Sequence, residues 1–250
     1  MKVTWYNTID STNSEAFRCL PELPSGTVLA AREQTAGRGQ RGNTWFTRPG
    51  QNLTFSIVLK YGPDALPALS ASHAVWLNYL CSQAVVLFLR SFGVLCRVKW
   101  PNDVYVGKRK ICGILIENQL ASDGLAASVL GIGININQRE FPQLANATSL
   151  ALCADKEYDV ELCLKQFLGF FEELLPQLFD EASRQQLFAA YSAELFRKGE
   201  RAHYYDVLRE EEFEGVIQGV EADGRLCIQD LDTPGQPLRY YRFKEVGYIL

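Results

Sequence analysis

Between Gln34 and Trp45 the chain reads QTAGRGQRGNTW, which sets two guanidinium groups, Arg38 and Arg41, among three glycines, Gly37, Gly39 and Gly42. Arginine grips phosphate or carboxylate oxygens in pairs, and hydrogen bonds to charged groups contribute about 1.5–3 kcal/mol each. Glycine lets the backbone come close to a ligand. The chemistry on offer is capture of an anion. The same composition also describes a solvated basic loop, and the segment alone supports either. Its spacing satisfies the dinucleotide pattern G-x-G-x-x-G, which needs a strand before it and a helix opening at the last glycine. The strand is expected but the helix is not. Gly42 runs into Asn43-Thr44-Trp45 and Pro49-Gly50, and a β-rich run begins at Asn52. A βαβ crossover takes at least about 10–12 residues, so none fits. A G-K-[ST] phosphate loop is absent as well. Fixing backbone costs about 1–2 kcal/mol per residue, which predicts a mobile loop that orders when a ligand or a docked surface offsets that cost.

Other side chains that can do chemistry are scattered. Lys108-Arg109-Lys110 is either a reactive cluster or the exposed tip of a hairpin. Ser11, Thr12 and Asn13 stand where a helix begins and read equally as a cap. Asn102 and Asp103 follow Pro101 in a turn, and Gly131 and Gly133 mark a bulge or a close approach within a strand. With only His73 and His203, there is no H-x-x-x-H zinc pattern, and no G-x-S-x-G elbow is present. His73 is expected mid-helix, packed in the core, and neither histidine makes a convincing general base.

The elements that must position these residues follow from pattern. Strands are predicted at Val3–Tyr6, Thr27–Ala31, Asn52–Lys60, Val94–Trp100 and Ala126–Ile134. A hairpin is expected from Val104–Val106 and Lys110–Glu117 around Gly107-Lys108, with a further turn at Ser122-Asp123-Gly124. Helices are predicted at Ser11–Leu20, where Thr12 to Glu15 fits a capping box, and over Leu66–Phe92 as one helix or two. Two more are predicted at Asp159–Phe179 and Arg184–Phe196. Lys198-Gly199-Glu200 looks like a boundary, giving units 1–198 and 199–250. The second unit carries short strands at Ala202–Leu208, Phe213–Val220, Leu226–Gln229 and Arg239–Phe243. A unit under about 60 residues has little core of its own and should dock on the first.

Composition narrows the classes. The 250 residues carry a net charge of −4, which argues against a whole-protein attraction to nucleic acid. Seven cysteines without a C-x-x-C suggest free thiols in a reducing compartment, and no apolar leader follows Met1, so a cytoplasmic location is expected. Ala65–Leu89 lacks acidic and basic side chains but is broken by Pro67, several serines, His73, Asn78 and Gln83. That interruption fits a buried core helix better than a membrane span.

Five segments, in order, resemble the biotin protein ligases: DSTN (Asp10–Asn13), EQTAGRGQRG (Glu33–Gly42), KWPND (Lys99–Asp103), KRKICGILIE (Lys108–Glu117) and GIGININ (Gly131–Asn137). The resemblance covers residues 1–198; the tail resembles the family's SH3-like domain by strand pattern only. It implies an α+β fold, a mixed sheet flanked by helices in the manner of class II synthetases, with a small SH3-like β-barrel behind it. It also implies a two-step reaction. Biotin's carboxylate attacks the α-phosphate of ATP, supplied with Mg²⁺, and a lysine of a biotin carrier domain of a biotin-dependent carboxylase then attacks biotinyl-5′-AMP. The resemblance places Lys110, Arg38 and Arg41 on the reacting groups. It places Ser11, Thr12, Asn13, Gln34, Gly39, Gln40, Gly113 and Gly133 around biotin, with Gly131 allowing close approach. Trp45, Asn102 and Asn135 fall around the adenylate. It leaves the metal ligands unassigned, implies no nucleic-acid or membrane partner, and allows a monomer or a homodimer. Gln40 departs from the arginine that members often carry, which predicts leakage of the adenylate. Members that double as repressors carry an N-terminal helix-turn-helix unit, and none is expected here. A lipoate ligase or an octanoyltransferase is the alternative.

Overall fold

In NLTFSIVLK, residues 52–60, alternate side chains are both apolar and small-polar, as in a strand covered on both faces. The computed structural model describes every residue except Asp123, Gln143, Ala145 and Leu250, and describes Arg41 without its side chain. The first unit opens with β1 (Lys2–Ile9), α1 (Thr12–Arg18), β2 (Thr27–Gln34) and β3 (Leu53–Lys60). It continues with α2 (Val75–Ser91), β4 (Arg97–Lys99), β5 (Asp103–Val106), β6 (Arg109–Ala121) and β7 (Gly124–Ile134). Three short to medium helices follow: α3 (Leu150–Ala154), α4 (Val160–Leu174) and α5 (Glu181–Ala193). The seven strands form one mixed sheet in the order β1-β2-β3-β7-β6-β5-β4, with only β1 and β2 parallel. Parallel neighbours need a crossover, and α1 provides it.

The faces of this sheet differ. One carries Phe55, Ile57, Leu59, Leu130, Ile132 and Ile134 against α2 and α4, with α5 packed on α2, forming the main core. The opposite face carries Leu29, Val58, Ala127 and Val129 under α1, packed on Ala16 and Leu20. Strand periodicity carries this second face on past the start of α1. There its residues are Thr54, Ser56, Gly131, Gly133, Gly113, Leu115 and Glu117, with Ser56 paired to Gly131 and Gly113 to Gly133. The chain thus leaves one stretch of sheet without apolar cover, and the site lies there.

Several expectations are corrected. The N-cap of α1 is Ser11, whose hydroxyl accepts from Ser14 N–H at 3.4 Å, so the capping box moves off Thr12; Glu15 pairs instead with Arg18. The apolar helix starts at Val75 rather than Leu66, because Pro67 and a 3₁₀ turn at Ala71–His73 occupy the preceding residues. His73 lies in that turn, half-buried rather than in the core. Ala71–Ser91 is apolar enough to span a bilayer by length and composition, with a mean hydropathy of 1.3, yet 67% of it is buried within the fold. The helix expected over Asp159–Phe179 ends at Leu174 and tightens to 3₁₀ over Leu175–Phe179, where Pro176 removes a backbone donor. Asp180 caps α5, which begins three residues before the expected Arg184. Helix α3, five residues long, is too short for periodicity to reveal. The turn at Ser122–Gly124 includes Asp123, outside the described residues.

The tail forms a second, antiparallel sheet of β8 (Arg201–Asp206), β9 (Glu211–Val220), β10 (Leu226–Asp230), β11 (Leu238–Tyr241) and β12 (Val246–Tyr248), ordered β11-β10-β9-β8-β12. It docks on the first unit. Trp100 Nε1–H donates to the Gly224 carbonyl at 3.0 Å, and Trp100 packs edge-on against Phe243. A side chain at Gly224 would stand 2.8 Å from Val75.

The second sheet is held by a buried ion cluster. Arg239, 8% exposed at its side chain, donates to Asp230, to Asp206 at 3.2 Å and to Glu211 at 3.0 Å. Burial works against the charge on Asp230, but bonds from the Thr233 hydroxyl, backbone N–H groups and Arg239 outweigh it and hold the carboxyl at about 2. Asp206 is lowered in the same way, burial being outweighed by the Tyr241 hydroxyl, Arg209 N–H and Arg239. A depressed carboxylate stabilises the fold above its ordinary value of 3.8 and loses that contribution as pH falls toward its folded value. Removing the cation strands buried acids. Arg239→Met should therefore cost about 3 kcal/mol at pH 7, with a smaller loss near pH 3 where the acids take up protons. Denaturant titrations of both proteins at the two pH values check this; an equal loss at both would contradict it.

Candidate active site

The start of α1 buries Ser11, Thr12 and Asn13 against the uncovered stretch of sheet. Gln34, at the end of β2, accepts from Thr12 N–H at 2.8 Å and from the Thr12 hydroxyl at 3.1 Å. The Ser56 hydroxyl lies 2.7 Å from Thr12 Oγ1 and 2.6 Å from Asn13 Oδ1, within reach of either with its one hydrogen. Asn13 Nδ2 donates to Glu117 at 2.9 Å and to the Leu115 carbonyl at 3.3 Å. The cap reading and the binding reading of Ser11–Asn13 are therefore compatible, since Ser11 caps while Thr12 and Asn13 face the sheet.

Beneath these groups the sheet presents glycine. A Cβ on Gly131 would stand 2.3 Å from Asn13 Oδ1, and one on Gly133 would stand 2.3 Å from the Trp45 indole. A Cβ on Gly113 would meet that indole at 3.0 Å and Lys110 Nζ at 3.2 Å. Trp45 therefore lies on a floor that only glycine leaves clear.

The loop that brings Trp45 there has its own framework. Trp45 N–H donates to the Gly37 carbonyl at 2.9 Å and Gly39 N–H to the Asn43 carbonyl at 2.7 Å. Arg38 bridges Thr44, and a 3₁₀ turn at Gln40–Gly42 closes with Gly42 at φ 82°. The loop is folded as a flap, with a docked surface of the kind expected to order it. The indole docked on the sheet supplies the surface that offsets its ordering cost. Arg38 forks onto Glu117 at 2.7 and 3.1 Å. Lys110 Nζ pairs with Asp103 at 2.6 Å and lies 5.6 Å from the Trp45 ring centre. The two candidate cations whose side chains are described are thus each held by a carboxylate. Asn102 ties its turn to β6, donating to the Ile114 carbonyl at 2.6 Å.

One cavity, about 470 Å³ including its open mouth, gathers Ser11, Thr12, Asn13, Gln34, Arg38, Gly39, Gln40, Trp45, Asn102, Lys110, Gly113, Gly131 and Gly133. Asn135 does not line it: it is buried, with its amide donating to the Thr148 carbonyl at 3.0 Å. The Arg41 side chain lies outside the described residues. Gln40 Oε1 and Trp45 Nε1 are buried with no hydrogen-bond partner among the described residues, so each is available to a ligand. Sequence reasoning gave no role to Ser56 or Glu117. Ser56 carried a signal, a hydroxyl in a strand buried on both faces. Glu117 carried none beyond closing the GILIE run.

A second groove opens beside Lys110 and Asp103 and is walled by Phe243, Lys244 and Tyr248 of the tail. Lys99 Nζ sits there between the Tyr105 and Tyr248 rings, 5.1 and 4.8 Å from their centres. Burial lowers its pKa, against the pull of Asp103 and helped by Lys110.

The arrangement is a slot with a hydrogen-bonding end at Thr12, Asn13 and Gln34, a wall formed by the Trp45 indole seated on glycine, and a cationic rim. It can take a polar group at one end and draw an anion toward Lys110 and Arg38.

Comparison with known proteins agrees with this geometry. The model of the biotin/lipoate A/B protein ligase family matches residues 5–135. The chain is 31% identical over 175 residues to the bifunctional ligase/repressor BirA of Bacillus subtilis, covering 68% of this chain and 52% of that protein. It is 35% identical over 133 residues to a biotin–[acetyl-CoA-carboxylase] ligase of Paracoccus denitrificans, covering 51% of each. The chain thus spans about half the length of these curated relatives. The biotin protein ligase of Aquifex aeolicus, solved in complex with biotin and ATP, superposes with a TM-score of 0.75 at 27% identity, over 98% of this chain and 97% of that one. With more than half of its length matched by the family model and the slot formed by those same residues, the chain belongs to the biotin/lipoate A/B protein ligase family.

Proposed function

We propose that the protein is an ATP-dependent biotin–protein ligase that joins biotin to a lysine of a biotin carrier domain through biotinyl-5′-AMP. The observation that carries this is the pairing of a polar slot end with a glycine floor and a cationic rim in one cavity. Biotin's ureido group needs both donors and acceptors, and Thr12, Asn13 and Gln34 offer them. A lipoyl or octanoyl chain has no polar group to exchange hydrogen bonds with the Thr12, Gln34, Asn13 and Ser56 network, whereas a ureido group can, which is a basis for discrimination. This favours biotin over the lipoate-ligase and octanoyltransferase alternatives.

In the first step a carboxylate oxygen bonds to the α-phosphorus of ATP and pyrophosphate leaves. Two anions must meet, so preorganised cations offset their repulsion and the charge that develops on phosphorus. Lys110 and Arg38 are the described groups suited to it. In the second step the acceptor amine bonds to the carbonyl carbon of the mixed anhydride, AMP leaves with the bridging oxygen, and the amine sheds a proton. Neither His73 nor His203 lines the cavity. Mg²⁺ would travel with ATP. No three His, Cys, Asp or Glu side chains converge among the described residues, and phosphate oxygens and water suit Mg²⁺ as ligands. We assign the chemistry to residues 1–198 and the wall of the open groove to 199–250, supported by Phe243, Lys244 and Tyr248 beside Lys110. We place the reaction in the cytoplasm, a reading supported by seven free cysteines.

Lys110→Ala removes a cation at the reacting atoms and should reduce transfer of biotin to a carrier domain by about 100-fold or more, read by intact-mass spectrometry, with the fold retained. Near-normal turnover would contradict the role of Lys110. Gln40 lies between the slot and the tail-side groove with a buried, unpartnered oxygen. Gln40→Arg adds a cation there and should slow release of free biotinyl-AMP by about threefold or more. Unchanged release would count against charge-based retention at this position.

A further inference from the structure

We infer that Glu117 is a positioning residue, the fixed strut from which the flap's Arg38 reaches the adenylate; this rests on the ligase reading above. Glu117 stands on β6, on the same sheet face as Gly113 and Leu115, and its side chain is 26% exposed against 45% for Arg38. Its carboxylate takes two parallel bonds from Arg38, Nη2–H to Oε1 at 2.7 Å and Nη1–H to Oε2 at 3.1 Å. A guanidinium carries five N–H groups, so this fork leaves Nε–H and two outer hydrogens free for a ligand anion. Glu117 Oε2 also accepts from Asn13 Nδ2, which leaves Asn13 Oδ1 to Ser56 and the slot. One carboxylate thus fixes both the arginine of the flap and the amide at the slot's polar end.

Glu117 stands on a paired strand of the sheet, and among the described flap residues Arg38 is the one that makes an ion pair. Within the flap, Arg38 bridges Thr44, next to Trp45. Holding the guanidinium therefore helps hold the indole on Gly133. Covered by Arg38 and Asn13, the carboxylate presents no bare charge to an incoming anion. Glu117 touches no reacting atom in this account and acts through Arg38.

A double-mutant cycle on the full chain tests this. Enzyme is loaded with biotin and ATP, pyrophosphate is removed, and release of free biotinyl-AMP is timed for wild type, Glu117→Gln, Arg38→Ala and the double variant. Glutamine retains an acceptor for Asn13 but loses the fork on Arg38, so release should quicken by about threefold to tenfold. The double variant should release no faster than Arg38→Ala alone, because the strut has nothing left to hold. Unchanged or slower release in Glu117→Gln overturns the inference, slower release marking Glu117 as a brake that competes with the ligand. An additive double variant also overturns it, since Glu117 would then act apart from Arg38. Should Glu117→Gln unfold, Glu117→Asp keeps the charge on a shorter arm and should give intermediate release; wild-type release there contradicts the strut. If wild type forms no biotinyl-AMP, the ligase reading itself fails and this inference fails with it.

Discussion

The closeness of the flap to the sheet governs the rest of the site. At Gly131 and Gly133 a single added carbon would stand 2.3 Å from Asn13 and from the Trp45 indole, well inside van der Waals contact. Because those carbons are missing, the Trp45 indole can rest against the sheet at Gly133 and the Asn13 amide at Gly131. The flap then has a surface to rest on, its glycines can order, and Arg38 is carried to the rim. A sheet with alanine at these places would keep its hydrogen bonds and its core but would hold the flap away, and no slot would form.

Charge is arranged with the same restraint. The two described cations at the slot are each paired with a carboxylate, Arg38 with Glu117 and Lys110 with Asp103. Pairing ties the flap to β6 through Arg38 and offsets the charge of both cations lining one cavity. These pairs are partly exposed, and each leaves N–H groups of its cation free to meet a phosphate or carboxylate while the pair holds. The tail adds the outer wall, and Lys99 held between Tyr105 of the first unit and Tyr248 of the second joins the two sheets at the groove.

Much of this was legible in the sequence because its causes are local. Alternation located β3 and β7, and chain length between Gly42 and Asn52 excluded a dinucleotide turn. The arginines between the glycines pointed to an anion. What escaped depends on distant partners. Glu117 acquires its role from Arg38, 79 residues away, and Ser56 from Asn13, 43 away, so neither spacing shows in a window of the chain. Asn135, expected near the adenylate, is buried outside the slot lining with its amide donating to the Thr148 carbonyl, a partner 13 residues away. Composition showed the cost of ordering the flap's glycines but not which surface offsets it, because that surface is the sheet under Trp45. The cap shifted by one residue because Glu15 found Arg18 within its own helix.

Under the proposed function the slot selects a ureido acid and brings its carboxylate to ATP. Exchange of labelled pyrophosphate into ATP measures that step alone, without any carrier protein. Exchange should depend on biotin and remain at background with lipoate in its place. Exchange supported equally by lipoate, or absent with biotin, would contradict the account.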